Sequence, residues 1–253
     1  MSLFDLTGKV CVVTGSTRGI GKAIAEQLAE HGAHVVISSR KAGPCDEVSA
    51  AINAKHPGAA IAVPASISSK DDLQRLIDET RKAFGKIDVL VCNAAVNPYY
   101  GPMSGISDEA FRKILDSNII ANNWLVSMVA PEMKERRDGS IIIVSSVGGL
   151  RGSTVIGAYC ISKAADMQMA RNLAVELSPH NIRVNCIAPG LVKTDFAKAL
   201  WETPEAEKRS SQNTPLRRLG EPDDIAGMAV LLSSRAGAWI TGQSMVIDGG
   251  DTA

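Results

Sequence analysis

The feature that most restricts this chain is a rhythm: short runs of β-branched and other apolar residues alternate with helix-length amphipathic stretches from end to end. Residues 10–14, 35–38, 60–63, 88–92, 140–145, 183–188 and 244–248 read as strands, several of them apolar throughout. Strands that are apolar on both faces belong to a parallel sheet covered by helices on each side. Between them, residues 21–30, a stretch after Pro44, and residues 71–84, 108–117, 122–135, 158–177 and 224–232 place apolar side chains three and four apart, the spacing of one helix face. This βαβα order predicts an α/β fold, a doubly wound parallel sheet of about seven strands with about six major helices on its two faces.

A chain of 253 residues can bury one large core, and no Pro/Gly/Ser-rich linker interrupts the rhythm, so residues 1–253 read as a single domain. The longest stretch outside the sheet pattern, 191–221, is rich in charge but spaces Phe196, Leu200 and Trp201 like one helix face. Two readings fit it, a cover over a substrate site and a surface helix packed on the body. Lys plus Arg and Asp plus Glu balance at 27 each, so no net field draws in a polyanion, and nucleic acid or an anionic membrane is not the expected partner. Five widely spaced cysteines (Cys11, Cys45, Cys92, Cys160, Cys186) contain no Cys-x-x-Cys pair and suit a reducing compartment. With no signal-like start, no apolar run of membrane length and no Ser-Lys-Leu ending, the expected location is the cytoplasm. His31, His34, His56 and His180 show no metal-ligand spacing, and no metal is expected.

Thr14-Gly15-Ser16-Thr17-Arg18-Gly19-Ile20-Gly21 follows the first strand directly and opens a helix rich in Ala, Ile and Leu. Gly15, Gly19 and Gly21 permit a tight turn and close backbone approach to a pyrophosphate, whose charge rests on the N–H groups of the first helical turn, that of Ile20 among them. A dinucleotide is therefore the expected cofactor. A protein that takes NAD usually carries an acid about twenty residues further on, at the end of the second strand. Here the chain reads Ser38-Ser39-Arg40-Lys41, with no carboxylate, while Arg40 and Arg18 offer guanidinium forks to a 2′-phosphate. NADP(H) is expected ahead of NAD(H), against the alternative that these are solvated loop cations.

Tyr159-Cys160-Ile161-Ser162-Lys163 opens a helix, so Tyr159 and Lys163 share one face. A free phenol has a pKa of about 10, and a nearby ammonium favours the phenolate, which brings Tyr159 toward use as a proton donor or acceptor. Ser146, thirteen residues earlier, ends the apolar run 141–144, where ligands of open α/β sheets sit, and its hydroxyl can meet a substrate carbonyl as charge develops on oxygen. A turn or capping role for Ser146 fits the same position. Cys160 points about 100° away from Tyr159 around the helix and reads as packed thiol. Tyr99, Tyr100 and Met103 follow the fourth strand, either lining a substrate cleft or packing the loop.

Taken together, these motifs resemble the short-chain dehydrogenase/reductase family over essentially the whole chain, with its Rossmann fold. The resemblance implies Tyr159 as catalytic acid/base, Lys163 as the residue that binds the nicotinamide ribose and lowers the tyrosine pKa, and Ser146 as the carbonyl contact. It also implies that Asn118, in Asp116-Ser117-Asn118, positions a water in a proton relay, a role the residue pattern alone does not single out. Further family marks are Cys92-Asn93-Ala94-Ala95, Asn185, Pro189-Gly190, Thr194 and Asp248-Gly249-Gly250. The implied cofactor contacts are Gly15, Thr17, Arg18, Gly19, Ile20, Gly21, Ser39, Arg40, Asn93, Tyr159, Lys163, Pro189, Gly190 and Thr194. The chain departs from the family at Cys92 and Ala95, where Asn and Gly are usual, and at Ser66-Ile67, where Asp-Val is usual near the adenine.

Within the family the chain is most similar to NADPH-dependent carbonyl (dicarbonyl and retinal) reductases, on Ser38–Lys41, the run Asn93-Ala94-Ala95-Val96-Asn97-Pro98, the run 188–194 and Leu200-Trp201. That resemblance implies hydride transfer to an apolar or aromatic ketone or aldehyde, or from a secondary alcohol in reverse. It also implies a homo-oligomer, commonly a tetramer, formed through residues 122–135 and 158–177. Alternatives are NAD-dependent oxidation of a sugar or polyol, reduction of a 3-oxoacyl thioester, and a dinucleotide-sensing interaction protein without turnover.

Overall fold

The computed structural model describes residues 2–253. Among them, seven strands, β1 (Val10–Thr14), β2 (His34–Ser38), β3 (Ala60–Ala62), β4 (Val89–Cys92), β5 (Gly139–Val144), β6 (Ile182–Pro189) and β7 (Ser244–Ile247), form one sheet in the order β3-β2-β1-β4-β5-β6-β7. Every neighbouring pair is parallel. Successive side chains on a strand face opposite sides of the sheet. Cys11 and Val13 therefore enter one core and Val12 the other, as do Ile142 and Val144 against Ile141 and Ile143. This explains why the strands are apolar throughout: both faces are covered.

One face is packed by α1 (Gly19–Glu30), α2 (Ala42–Lys55) and α8 (Pro222–Ser233), which contribute Ile24, Leu28, Val48, Ile52, Ile225 and Val230. The other is packed by α3 (Lys70–Phe84), α5 (Ala121–Arg136) and α6 (Gly157–Leu177), through Leu73, Leu76, Leu125, Val129, Met167 and Leu177. Helix α3 shows the local code plainly. Ser69 accepts a hydrogen bond from the Asp72 amide at 3.1 Å, Asp71 and Asp72 sit in the first turn, Arg81 and Lys82 in the last, and Gly85 closes it at φ 77°.

Three boundaries differ from the sequence reading. Helix α2 begins at Ala42, with Pro44 inside its first turn, where the missing N–H costs nothing. The stretches 108–117 and 122–135 are one run: α4 (Asp108–Leu115) passes into α5 through a single π turn, Asp116–Ile120. The face expected from Phe196, Leu200 and Trp201 is a short 3₁₀ turn, Asp195–Leu200, after which the chain breaks and forms α7 (Pro204–Asn213). Trp201 falls outside the turn and its indole N–H donates to the Thr194 carbonyl at 3.1 Å.

The strand order reverses between the adjacent strands β1 and β4. In an open parallel sheet the connections on either side of such a point run to opposite faces and leave a crevice at the carboxyl ends of the strands.

Candidate active site

A cleft of about 980 Å³ occupies that crevice, and its walls carry Gly15, Thr17, Arg18, Gly19, Ile20, Gly21, Ser39, Arg40, Asn93, Ser146, Tyr159, Lys163, Pro189, Gly190 and Thr194. Asn118 is the one expected site residue that does not line it.

At one end, the turn after β1 carries Gly15 at φ 66° and Gly19 at φ 54°, left-handed conformations that a side chain would strain. Helix α1 starts there with no side-chain cap and no acidic residue in its first turn, so its leading N–H groups are available to an anion. This is the cradle a pyrophosphate requires. The chain holds its shape through Asn93, whose side-chain amide donates to the Thr14 carbonyl at 2.9 Å and the Gly15 carbonyl at 3.1 Å. The Asn93 and Ala94 amides both donate to the Thr14 hydroxyl. Asn93 is thus a clamp on the turn and also lines the cleft, where the resemblance implies a cofactor contact. Ser16, which the sequence reading passed over, is fully buried and ties the turn to β2, donating to the Val13 carbonyl and accepting from the Ser38 amide at 2.8 Å.

The two arginines differ. Arg40, at the end of β2 beside Ser39, is exposed and in no ion pair among the described residues. Arg18 is paired with Asp195 at 3.1 Å, both largely exposed. That pair joins the glycine turn to the segment 195–200, and Thr194 packs beside Gly19, where an added Cβ would lie 3.0 Å from its Cγ2. Thr194 also caps the 3₁₀ turn, its hydroxyl accepting from the Ala197 amide.

At the other end, Ser146 follows β5, and its hydroxyl accepts from the Gly148 amide at 3.0 Å. Tyr159 and Lys163 lie one turn apart on α6, with Lys163 Nζ 5.6 Å from the tyrosine ring centre. Phe196 stands over Tyr159, ring centres 5.9 Å apart. Lys163 is buried; its ammonium donates to the Val144 carbonyl and to the Asp166 carboxylate, each at 2.9 Å. Burial works against that charge, but Asp166 and Tyr159 outweigh burial and hold the ammonium above its ordinary value.

The tyrosine does not follow the simple expectation. Burial pushes its phenol up, Lys163 pulls it down, Asp166 pushes it up again and a hydrogen bond with Ser146 pulls it down; the balance lies above the ordinary value. The lysine acts in the expected direction but does not win, because desolvation of a phenolate is costly and the ammonium has a counter-ion of its own.

Asn118 lies in the π turn, fully buried. Its side chain is committed to the protein: the carboxamide oxygen accepts from the Val96 amide at 2.9 Å, and the nitrogen donates to the Val96 carbonyl at 3.1 Å and the Ser162 hydroxyl at 3.0 Å. The Asn118 backbone carbonyl accepts from the Asn122 side chain at 2.6 Å, and Asn122 also donates to Asp166 at 3.2 Å. Asn118 is thereby connected to Lys163 through protein atoms, Asn122 and Asp166. The family-implied water relay gives no hint of that path. A π turn is a common way to aim side chains at a functional site, and no spacing rule in the sequence reveals it.

Of the loop residues, Tyr100 lines the cleft. Tyr99 instead donates to the Pro102 carbonyl, and Met103 packs against Gly157, where a Cβ would meet its Cγ at 2.5 Å. Cys160 is buried, as expected of packed thiol. No cluster of metal-ligating side chains occurs among the described residues.

Comparison with known proteins agrees with this arrangement. Residues 15–252 match the family model described as enoyl-(acyl carrier protein) reductase. The chain is 44% identical over 245 residues to dehydrogenase/reductase SDR family member 4 of Oryctolagus cuniculus, covering 97% of this chain and 94% of that one. It is 42% identical over 248 residues to the Homo sapiens protein of the same name, covering 97% and 88%. Among solved structures it is similar to a 7α-hydroxysteroid dehydrogenase complexed with NADH and 7-oxo glycochenodeoxycholic acid, with a TM-score of 0.93, 38% identity and coverage of 98% and 96%. It is also similar to a gluconate 5-dehydrogenase from Burkholderia cenocepacia in complex with NADP and tartrate, with a TM-score of 0.93, 28% identity and coverage of 99% and 97%. The chain belongs to the short-chain dehydrogenase/reductase family and is an NAD(P)-dependent oxidoreductase.

Proposed function

We propose that this enzyme is a carbonyl reductase that prefers NADPH and takes apolar or aromatic ketones and diketones. The observation that carries the reading is one continuous cleft, with the glycine turn and unpaired Arg40 at one end and Ser146, Tyr159 and Lys163 at the other. The residues fit a dinucleotide. The uncapped start of α1 and the positive-φ Gly15 and Gly19 would receive the pyrophosphate, with Thr17, Pro189, Gly190 and Thr194 lining the same cleft, and Ser39 and Arg40 would meet a 2′-phosphate. Arg18, paired with Asp195 on the wall of the same cleft, would be a second guanidinium for that phosphate.

When bound, the cofactor supplies the hydride. Tyr159 gives its proton to the carbonyl oxygen, Ser146 donates a hydrogen bond to that oxygen as it becomes negative, and Lys163 would hold the cofactor's ribose with the ammonium proton not committed to Val144 or Asp166. Val96, Tyr100, Ile156, Leu191, Phe196 and Leu200 line the cleft beside the polar Asn97, Lys113, Arg151 and Ser153, and Phe196 stands over Tyr159; an apolar ring at the reacting group favours an apolar ketone over a sugar. Segment 191–221 forms the cover.

The same reading makes the chain a domain that acts as a homotetramer in the cytoplasm. Five unpaired, buried thiols suit a reducing compartment. Trp239 is 99% exposed and Val175 81% exposed, apolar surface of the kind a second copy would cover. Among the described residues no helix is long and apolar enough to cross a membrane.

The test is initial rates with NADPH and NADH in parallel against diketones, aromatic ketones, retinal, a 3-oxoacyl thioester and keto sugars, with Tyr159→Phe and Arg40→Ala variants. Loss of the general acid lowers turnover by about 10²–10⁴-fold without loss of NADPH binding. Loss of one charge-assisted contact raises the KM for NADPH by roughly 10-fold or more and leaves NADH unaffected. A Tyr159→Phe enzyme as fast as the parent refutes the catalytic reading. NADH preference in the parent, or an Arg40→Ala enzyme with unchanged cofactor selectivity, refutes the 2′-phosphate reading.

A further inference from the structure

The buried charge on α6 that the reaction does not itself require is Asp166. A helix position with no exposure, flanked by Met167 and Ala170 in the core, ordinarily carries an apolar side chain. Here the carboxylate accepts from Lys163 Nζ at 2.9 Å on one oxygen and from Asn122 at 3.2 Å on the other. Burial pushes the Asp166 carboxyl above its ordinary value, while the Lys163 ammonium and the Asn122 amide, one donor on each oxygen, favour the charged form. The other groups around it are neutral, apart from two arginines that act on the neighbouring thiols. On α6 the neighbours are Tyr159 and Cys160; β4 presents the Cys92 thiol, β6 the Cys186 thiol, α5 the neutral Asn122, and β5 the Val144 carbonyl and Ser145, with Ser146 just beyond. Burial pushes the Cys92 and Cys186 thiols up, so they stay neutral, and Arg171 and Arg151 act on Cys186 and Cys160.

We infer that Asp166 is a positioning residue for the tyrosine–lysine pair: its carboxylate anchors the Lys163 ammonium from beneath and offsets part of the positive charge that Tyr159 would otherwise feel. This rests on Tyr159 as proton donor. The anchor takes one ammonium proton and Val144 a second, which leaves the third for the cleft that Lys163 lines and restricts the lysine's rotation. The offset has a direction. With the carboxylate present, the tyrosine keeps its proton to higher pH, which suits an enzyme that donates a proton to a carbonyl and works against alcohol oxidation at neutral pH. Asn122 joins Asp166 to Asn118, so the anchor is itself fixed by the π turn.

The test is the pH–rate profile of NADPH-dependent diketone reduction in Asp166→Asn, which keeps the shape and removes the charge. The limb on which activity falls as Tyr159 loses its proton is expected roughly one pH unit lower than in the parent, with alcohol oxidation beginning correspondingly earlier. A limb that stays at the parent's pH, or moves up, overturns the inference. Tyr159→Phe separates the two readings: turnover retained in that variant sinks the catalytic assignment, whereas an inactive Tyr159→Phe beside an unmoved limb in Asp166→Asn sinks only the role of Asp166. Thermal melting supplies a readout independent of turnover. Lys163→Met strands the carboxylate in the core, and adding Asp166→Leu removes it, so the double variant is expected to melt above Lys163→Met alone. A double variant that melts no higher overturns the anchoring.

Discussion

Alanine at position 21 tests whether the glycine turn is shaped by packing or by helix preference, because the two give opposite signs. Gly21 lies in the first turn of α1 with ordinary negative φ, and replacing a helical glycine by alanine stabilises a protein by up to about 1 kcal/mol on backbone entropy alone. The structure reverses this. A Cβ at Gly21 would lie far inside van der Waals contact of the Asn93 side-chain nitrogen and the Gly15 carbonyl oxygen. To admit it, the Asn93 amide must leave both carbonyls it clamps, at about 1 kcal/mol for each hydrogen bond. The Gly15 oxygen is backbone and moves only with the turn, which adds about 1–2 kcal/mol of overpacking. Set against the entropic gain, the net loss is about 2–3 kcal/mol, or roughly 4–12 °C in melting temperature for a domain of this size. Two assays read it: a thermal melt, and NADPH titration by fluorescence, where the displaced turn lowers affinity. A Gly21→Ala protein that melts at or above the parent and binds NADPH equally well would refute the clamp.

Two further outcomes follow from particular contacts. The Arg218 guanidinium and the Glu221 amide hold the Asp224 carboxyl down at about 2, so its contribution to stability is complete above the unfolded value of about 4 and is lost as pH falls toward 2. Asp224→Asn, which also loses the reciprocal cap of α8, is expected to be about 1 kcal/mol less stable than the parent in urea at pH 6, with the gap narrowing by pH 3; a gap that widens on acidification would reverse the sign. Phe196→Ala removes the ring 5.9 Å from Tyr159, so the KM for an aromatic diketone is expected to rise about 10-fold with kcat nearly unchanged, and an equal rise for a small aliphatic ketone would show that the ring does not contact substrate.

Much of this was legible in the chain before any coordinates. The seven strands were found within two residues at each end, because strands buried on both faces announce themselves as apolar runs bounded by turn residues. The glycine turn and Ser146 were legible from their places at strand ends, and the tyrosine and lysine from the period that puts them on one helix face. The π turn at Asp116–Ile120 was not, since its sequence is compatible with the α-helices on either side. Nor was the loop 191–221, where Phe196, Leu200 and Trp201 carry the right spacing but the chain takes a 3₁₀ turn held by Thr194.

The sharper division lies inside the site. Asn93 reads as a family mark, yet what it does depends on meeting Thr14 and Gly15, some eighty residues earlier. Arg18 and Arg40 look alike in sequence; only the fold gives Arg18 a partner in Asp195 and, among the described residues, leaves Arg40 in no ion pair. Asp166 is the plainest case, because its spacing from Lys163 is visible in the chain and would ordinarily describe a surface ion pair of little consequence. Periodicity determines which side chains share a helix face. Whether that face meets water or the back of a sheet is set by how distant segments pack, and for Lys163 and Asp166 that packing turns a local spacing into a buried, directed charge beside the reacting tyrosine.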